Sequence, residues 1–158
     1  GSGGSTRADD RAVFVSSTSQ DLKPYRAAVR AVVEELALRF VGMEDFATES
    51  DPPATMIRRK VQESATYVGI IGMRYGYVDE STGLSMTELE YQQAVSGEKE
   101  LRMFVMDGTA PITADMVERD PANLDKLNAF RDTVMSRHSC SLFQTKDDLA
   151  DKVKRALA

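Results

Sequence analysis

The polar residues that could do chemistry fall in three short stretches. Ser16, Ser17 and Thr18 are followed by Asp21. Gly72, Arg74, Tyr75, Gly76 and Tyr77 lie close together. Ser85-Met86-Thr87-Glu88-Leu89-Glu90-Tyr91 carries two carboxylates. Hydroxyls beside helix starts can hold a phosphate or a ribose. Arg74 can pair with a phosphate, and Tyr75 or Tyr77 can stack on a base or a nicotinamide ring.

The two carboxylates have different prospects. Ser85 and Glu88 form the pattern S-x-x-E, a capping box, which gives Glu88 a structural task. Glu90 is not needed for a cap. It lies one turn after Met86 and one turn before Ala94, so it shares their helix face. That placement admits two roles. Glu90 is either a partly buried carboxylate at a ligand crevice or a solvated glutamate favoured early in a helix by the macrodipole.

Other chemistry finds less support. His138, the only histidine, follows Arg137 near a helix end and reads as a surface cap; no triad assembles around it. Cys140 reads as a strand residue packed among apolar neighbours. Arg58-Arg59-Lys60 reads as the solvated side of a helix. No Walker motif, no G-x-G-x-x-G and no Cys/His metal spacing occurs, so neither a metal nor a cofactor is expected.

These stretches must be positioned by alternating strands and helices. Val13-Phe14-Val15 suits a buried strand. Leu22, Tyr25, Val29, Val32 or Val33, Leu36 and Phe40 recur every three or four positions, as one face of a long helix. Lys23, Arg26, Arg30 and Glu34 are expected on its other face. Pro24 fits the first turn, with Asp21 as N-cap. A weaker strand is expected over Val41 to Phe46, then a loop at Glu49-Ser50-Asp51-Pro52-Pro53. The next helix has a stripe of Ile57, Val61 and Ala65. Tyr67 to Gly72, apolar on both faces, reads as a central parallel strand. Met86 to Val95 is helical with Gly97 as its stop, and Leu101 to Met106 is a strand. Asp120-Pro121 opens a helix with Leu124, Leu127, Phe130 and Val134 inward. Ser139 to Phe143 is a last strand and Asp147 to Leu157 a last helix. Val13, Val15, Val29, Leu36, Val68, Ile70, Phe104, Leu127 and Phe130 are the expected core.

The βαβαβαβαβα pattern predicts an α/β, three-layer αβα domain. Five strands favour a flavodoxin-like parallel sheet of order 2-1-3-4-5, with ligands beyond the carboxyl ends of the strands, near the switch between strands one and three. The site is therefore expected in the loops after Val15, Phe46, Ile71 and Met106.

Composition bounds the rest. The chain has 158 residues, enough for one core, and 42 % apolar content. Residues 1–10 read as an added linker and flexible N-terminus, and 11–158 as a single domain. The abrupt helical end suggests a piece of a longer protein. A net charge of −5 removes the simplest argument for nucleic-acid binding. No apolar run approaches the roughly 20 residues of a membrane span. A single cysteine fits a reducing compartment such as the cytoplasm, or merely a fold that needs no disulfide.

Three motifs together carry a resemblance. They are Phe14-Val15-Ser16-Ser17-Thr18 with Asp21-Leu22, Val68-Gly69-Ile70-Ile71-Gly72-Met73-Arg74-Tyr75-Gly76, and Ser85-Met86-Thr87-Glu88-Leu89-Glu90-Tyr91. They resemble a family of domains of unknown function found ahead of NACHT or other STAND-type ATPase modules and of tetratricopeptide or WD repeats. The resemblance covers nearly all of 11–158. That family is similar to the Toll/interleukin-receptor (TIR) and nucleoside deoxyribosyltransferase superfamily, in which a helix carries a catalytic glutamate, often followed four residues later by a small residue. Glu90 with Ala94 matches this spacing; Glu88 with Gln92 does not. The tryptophan–cysteine pair that precedes the glutamate in many TIR domains is absent. The resemblance implies a TIR-like effector of a signalling or anti-phage immune protein that hydrolyses the N-glycosidic bond of NAD or a related nucleotide. Glu90 would be catalytic, and Ser16, Ser17, Thr18, Asp21, Arg74 and Tyr75 would bind substrate. The alternatives, less favoured because of Glu90, are a non-catalytic self-association module, acting through the rest of a larger protein, and a nucleotide sensor.

Overall fold

A computed structural model describes residues 8–46 and 53–158. The proline-rich loop expected at 49–53 lies largely outside the described residues. Five strands form one parallel sheet of order β2-β1-β3-β4-β5, the predicted order. They are β1 (Asp9–Ser16), β2 (Arg39–Val41), β3 (Ser64–Ile71), β4 (Glu100–Met106) and β5 (Cys140–Phe143). The helices are α1 (Lys23–Glu35), α2 (Pro53–Glu63), α3 (Met86–Ser96), α4 (Pro121–Arg137) and α5 (Lys146–Leu157).

Strand alternation builds two cores. Val13 and Val15, Val68 and Ile70, and Phe104 and Met106 point to one face, under α1 and α5. Ala12 and Phe14, Tyr67 and Ile71, and Met103 and Val105 point to the other, under α2, α3 and α4. Both faces are covered, which is why the central strands carry apolar residues on both faces. Gly69 interrupts β3 because the Met103 side chain fills the place a Cβ would take, 2.5 Å from Met103 Cε. No described helix is long and apolar enough to cross a membrane.

The differences from expectation have local causes. Helix α1 ends at Glu35 because Ala37 adopts a left-handed backbone with φ 60, so Leu36 is half-buried and Phe40 belongs to β2. Strand β2 is Arg39–Val41 rather than Val41 to Phe46; after Gly42 the chain turns into a 3-10 segment, Met43–Phe46. Ala65 lies in β3, not on the stripe of α2. Leu124 is exposed, since only Leu127, Phe130 and Val134 of α4 reach the core. Asp21 does not cap α1: the N-cap is Leu22, with no side-chain cap bond. Asp120 does cap α4, accepting from the Ala122 and Asn123 N–H groups.

Arg26 is the largest departure. It sits four residues after Leu22 and three before Val29, so the helical period puts it on the inward stripe although its charge argues for the outside. It is 6 % exposed. Glu44 makes this tolerable by accepting from both Nε and Nη2, and the Val15 carbonyl and Ser17 hydroxyl accept from the remaining fork. The guanidinium also lies over the Phe40 ring, 5.6 Å from its centroid.

Candidate active site

A cavity of about 550 Å³ opens at the carboxyl edge of the sheet. Its walls come from the segment after β1 (Ser17, Thr18, Asp21), from Arg26 with Met43 and Glu44, from the loop after β3 (Arg74, Gly76, Tyr77), and from α3 (Met86, Thr87, Glu90). This is the crevice at the switch between β1 and β3 that the strand order dictates. A nucleotide-sized ligand falls within the usual range for such volumes.

Glu90 lies deepest. Helix α3 starts at Ser85, whose hydroxyl accepts from the Glu88 N–H at 3.1 Å. From that start the helical period turns Ala94 fully into the core and Glu90 toward the end of β1. Ser16 follows Phe14 on the same strand face, and its hydroxyl donates to Glu90 Oε1 at 2.5 Å. Glu90 is 4 % exposed. Burial pushes its carboxyl up to about 8, against the smaller opposing pull of the Ser16 hydroxyl and the Arg26 charge. That shift favours the protonated form of Glu90 at neutral pH. Tyr67, stacked on Phe14 with ring centroids 6.2 Å apart, is buried in the core on the same sheet face as Ser16. Its phenol is raised by burial and by the Glu90 charge.

Glu88 points elsewhere. Its carboxylate accepts from the Tyr75 hydroxyl at 2.6 Å. Tyr75 is 1 % exposed and packs in the core beneath α3 and α4, with its phenol pushed up to about 12 by burial and by Glu88. It is not on the cavity wall. Tyr77 is, and it is 77 % exposed. The two tyrosines differ because the chain reverses between them at Gly76, φ +95, where a Cβ would come within 2.9 Å of Thr18 Cγ2.

Of the seven residues singled out in the sequence, Ser17, Thr18, Asp21, Arg74 and Glu90 line the cavity. Ser16 lies behind the wall, in contact with it through Glu90. Tyr75 is apart. Tyr77, expected beside Tyr75 as a residue able to stack on a base, is on the wall; Arg26, Met43, Glu44 and Thr87 are there without having been assigned to it. Arg26 was detectable from its period within α1. Met43 and Glu44 were not, because nothing local marks the 3-10 turn that brings them there. His138 caps α4 and shares a hydrogen bond with the Tyr91 hydroxyl at 2.7 Å, away from this cavity. Among the described residues no cluster of His, Cys, Asp and Glu could hold a metal ion.

The loops of this edge are pinned by charged groups. Arg131 donates to the Gly72 carbonyl at 3.1 Å and the Met106 carbonyl at 2.9 Å, tying the ends of β3 and β4. Glu118 accepts from the Tyr75 N–H at 2.9 Å, and its own N–H donates to the Met73 carbonyl at 2.7 Å. These bonds hold the segment from Gly72 to Tyr75, which carries Arg74 to the cavity wall.

The fold recurs in known structures. The TIR domains of the activated Roq1 resistosome superpose with a TM-score of 0.62, at 10 % identity, over 94 % of this chain and 100 % of theirs. A CMP N-glycosidase from Clostridium botulinum, BcmB, superposes with a TM-score of 0.55, at 10 % identity, over 91 % of this chain and 98 % of its own. At such identity these likenesses establish the fold, which is TIR-like and flavodoxin-like, and nothing finer. No curated protein matches the chain. One family model does, the one described as "Domain of unknown function (DUF4062)", over residues 12–158, from the first core residue of β1 to the end of α5, and the chain belongs to that family.

Proposed function

We propose that the domain hydrolyses the N-glycosidic bond of NAD or a related nucleotide, as the effector domain of a larger signalling protein of the immune STAND type. The observation that carries this reading is Glu90: a buried carboxyl, bonded to Ser16, on the wall of a nucleotide-sized cavity at the carboxyl edge of the sheet. The fold shared with an N-glycosidase and with TIR domains is consistent with it.

The chemistry asks little beyond such a group. As the C1′–N bond breaks, its electron pair goes to the base nitrogen and positive charge develops on the ribose C1′ and ring oxygen. A carboxylate beside that carbon stabilises the charge. Water then adds its oxygen to C1′ and releases a proton. Glu90 must be ionised to act this way. A cationic leaving base, such as the pyridinium of NAD, favours that ionisation when it enters. Arg74 and the hydroxyls of Ser17 and Thr18 suit the phosphate and sugar. Arg26 is held by Glu44 and Ser17 and serves to place the Ser16–Ser17 segment.

The test is release of free base. The domain is clustered by fusion to an oligomeric scaffold, NAD is added, and nicotinamide is followed. Glu90→Gln keeps the shape and removes the charge, and should lower the rate by at least about 100-fold. Glu88→Gln should change it far less, since that carboxylate serves Tyr75. Equal rates in the active parent and Glu90→Gln would sink the assignment.

A further inference from the structure

One part of the cavity wall is left chemically open. Asp21 is 6 % exposed and Thr18 9 %, yet neither carboxylate oxygen of Asp21 nor Thr18 Oγ1 has a hydrogen-bond partner among the described residues. All three atoms belong to residues lining the same cavity as Glu90. Folding gives no reason for this. Asp21 does not cap α1. Burial pushes its carboxyl up, and the nearby Thr18 hydroxyl and Arg74 charge offset that only in part. A buried polar group without a partner is costly, and a carboxylate more so than most. Such a group at a cavity wall marks a place where a ligand supplies the missing donors.

The type of donor follows from the acceptors. An ionised carboxylate only accepts, and with both oxygens free it takes two parallel donors. Within a nucleotide two groups offer that: the 2′,3′-diol of ribose and the N1–H/N2–H edge of guanine. The diol is the one that lies next to C1′, the carbon that Glu90 must reach from the same cavity. Carboxylates that accept from ribose hydroxyls are general in dinucleotide sites of α/β sheets. Asp21 Oδ2 lies against Gly72 at the end of β3, where a Cβ would stand 3.4 Å away, so the carboxylate sits beside the carboxyl end of β3.

We propose that Asp21 and Thr18 form a sugar subsite that accepts the 2′,3′-diol of a ribonucleotide and so selects ribo- over 2′-deoxyribonucleotides. This rests on the nucleotide reading of the Glu90 cavity. It makes Asp21 a specificity-determining residue and leaves bond cleavage to Glu90.

The experiment measures binding and cleavage separately. Calorimetric titration of the Glu90→Gln chain uses CMP and NAD, each beside its 2′-deoxyribose analogue, and GMP. The ribose form should bind at least about tenfold more tightly than its 2′-deoxy analogue, the scale of one lost hydrogen bond to a charged group. Adding Asp21→Ala should reduce that ratio to about twofold or less. Asp21→Asn, which keeps one acceptor, should fall between. Because Asp21→Ala removes an unpartnered carboxylate, its melting temperature should not drop, which separates lost specificity from lost fold. Equal affinity for ribose and deoxyribose forms overturns the proposal. So does an equal weakening of both by Asp21→Ala, or binding restricted to GMP, or no binding at all. Base release by the wild-type chain is scored independently. A ribose preference without cleavage upholds the sugar subsite and refutes hydrolysis; cleavage without a ribose preference does the reverse.

Discussion

Glu90→Gln makes the sharpest test of the site, and it needs no substrate. An unfolded glutamate titrates near 4.5, whereas burial holds Glu90 at about 8 in the folded chain. Between those values the folded state keeps a proton that the unfolded state gives up. Stability must therefore fall as pH rises through that window, and level off above it. At about 1.4 kcal/mol per pH unit the full loss is on the order of 5 kcal/mol. That is a large share of the roughly 5–15 kcal/mol that holds a domain together. Glutamine has nearly the shape of the protonated acid, and its carbonyl can accept from Ser16, yet it does not titrate. Urea unfolding of both proteins at intervals from pH 5 to pH 9 isolates the effect, because every other group titrates equally in the two. The difference should be small near pH 5 and grow with pH. At pH 9 Glu90→Gln should be the more stable protein by several kcal/mol. A difference that stays flat across the range would refute the reasoning, since Glu90 would then be ionised throughout and its burial would carry no electrostatic cost.

Cleavage of NAD by the clustered domain should rise with pH toward about 8 in kcat/KM, because only ionised Glu90 stabilises the developing charge; a rate that falls over that range would assign it to proton donation instead. Ile70→Ala, at a fully buried position of β3, should cost about 2–5 kcal/mol in urea unfolding, and a loss below about 1 kcal/mol would remove it from the core. Ser85→Ala should cost about 0.5–2 kcal/mol through the lost bond to the Glu88 N–H, with no shift in the Glu90 pH effect if the cap acts only locally. Ala37→Gly should stabilise by about 1 kcal/mol, because φ 60 strains alanine and not glycine; a destabilised variant would show that the strain is absent.

The fold was legible because both periods were clean. Val13 to Val15, Tyr67 to Ile71 and Leu101 to Met106 are apolar on both faces, and only a doubly covered parallel sheet places such strands. Strand order then fixed the edge at which a site must lie. Glu90 was separable from Glu88 because the cap at Ser85 sets the phase of α3, and phase decides which carboxylate turns inward. What stayed hidden has a common cause. Ala37 bends the chain without a glycine to announce it, which displaced the end of α1 and all of β2. Arg26 obeyed the period of α1, but its partner Glu44 comes from a turn with no sequence signature. Tyr75 and Tyr77 are two residues apart and would share a strand face; Gly76 breaks that relation, and only its positive φ reveals it.

The two acidic groups of the cavity bear on each other. Each sits where folding alone would not put it. Glu90 is buried with one hydroxyl for company and keeps its proton; Asp21 is buried with no hydrogen-bond partner among the described residues. Around them the scaffold meets its polar needs with care: Arg26 donates from all three of its nitrogens, to Glu44, Ser17 and Val15, and Arg131 closes two strand ends. A chain that satisfies an arginine at the bottom of a helix, yet leaves a neighbouring aspartate open, does not lack the means to cover it. Among the described residues the unmet buried acceptors are confined to one cavity wall, beside the buried carboxyl of Glu90, at the edge the topology reserves for ligands. That coincidence argues for a nucleotide that fills both deficits in one binding event. Its sugar would supply donors to Asp21 and Thr18, and the positive charge of its base would favour the ionised form of Glu90, whose proton passes to water.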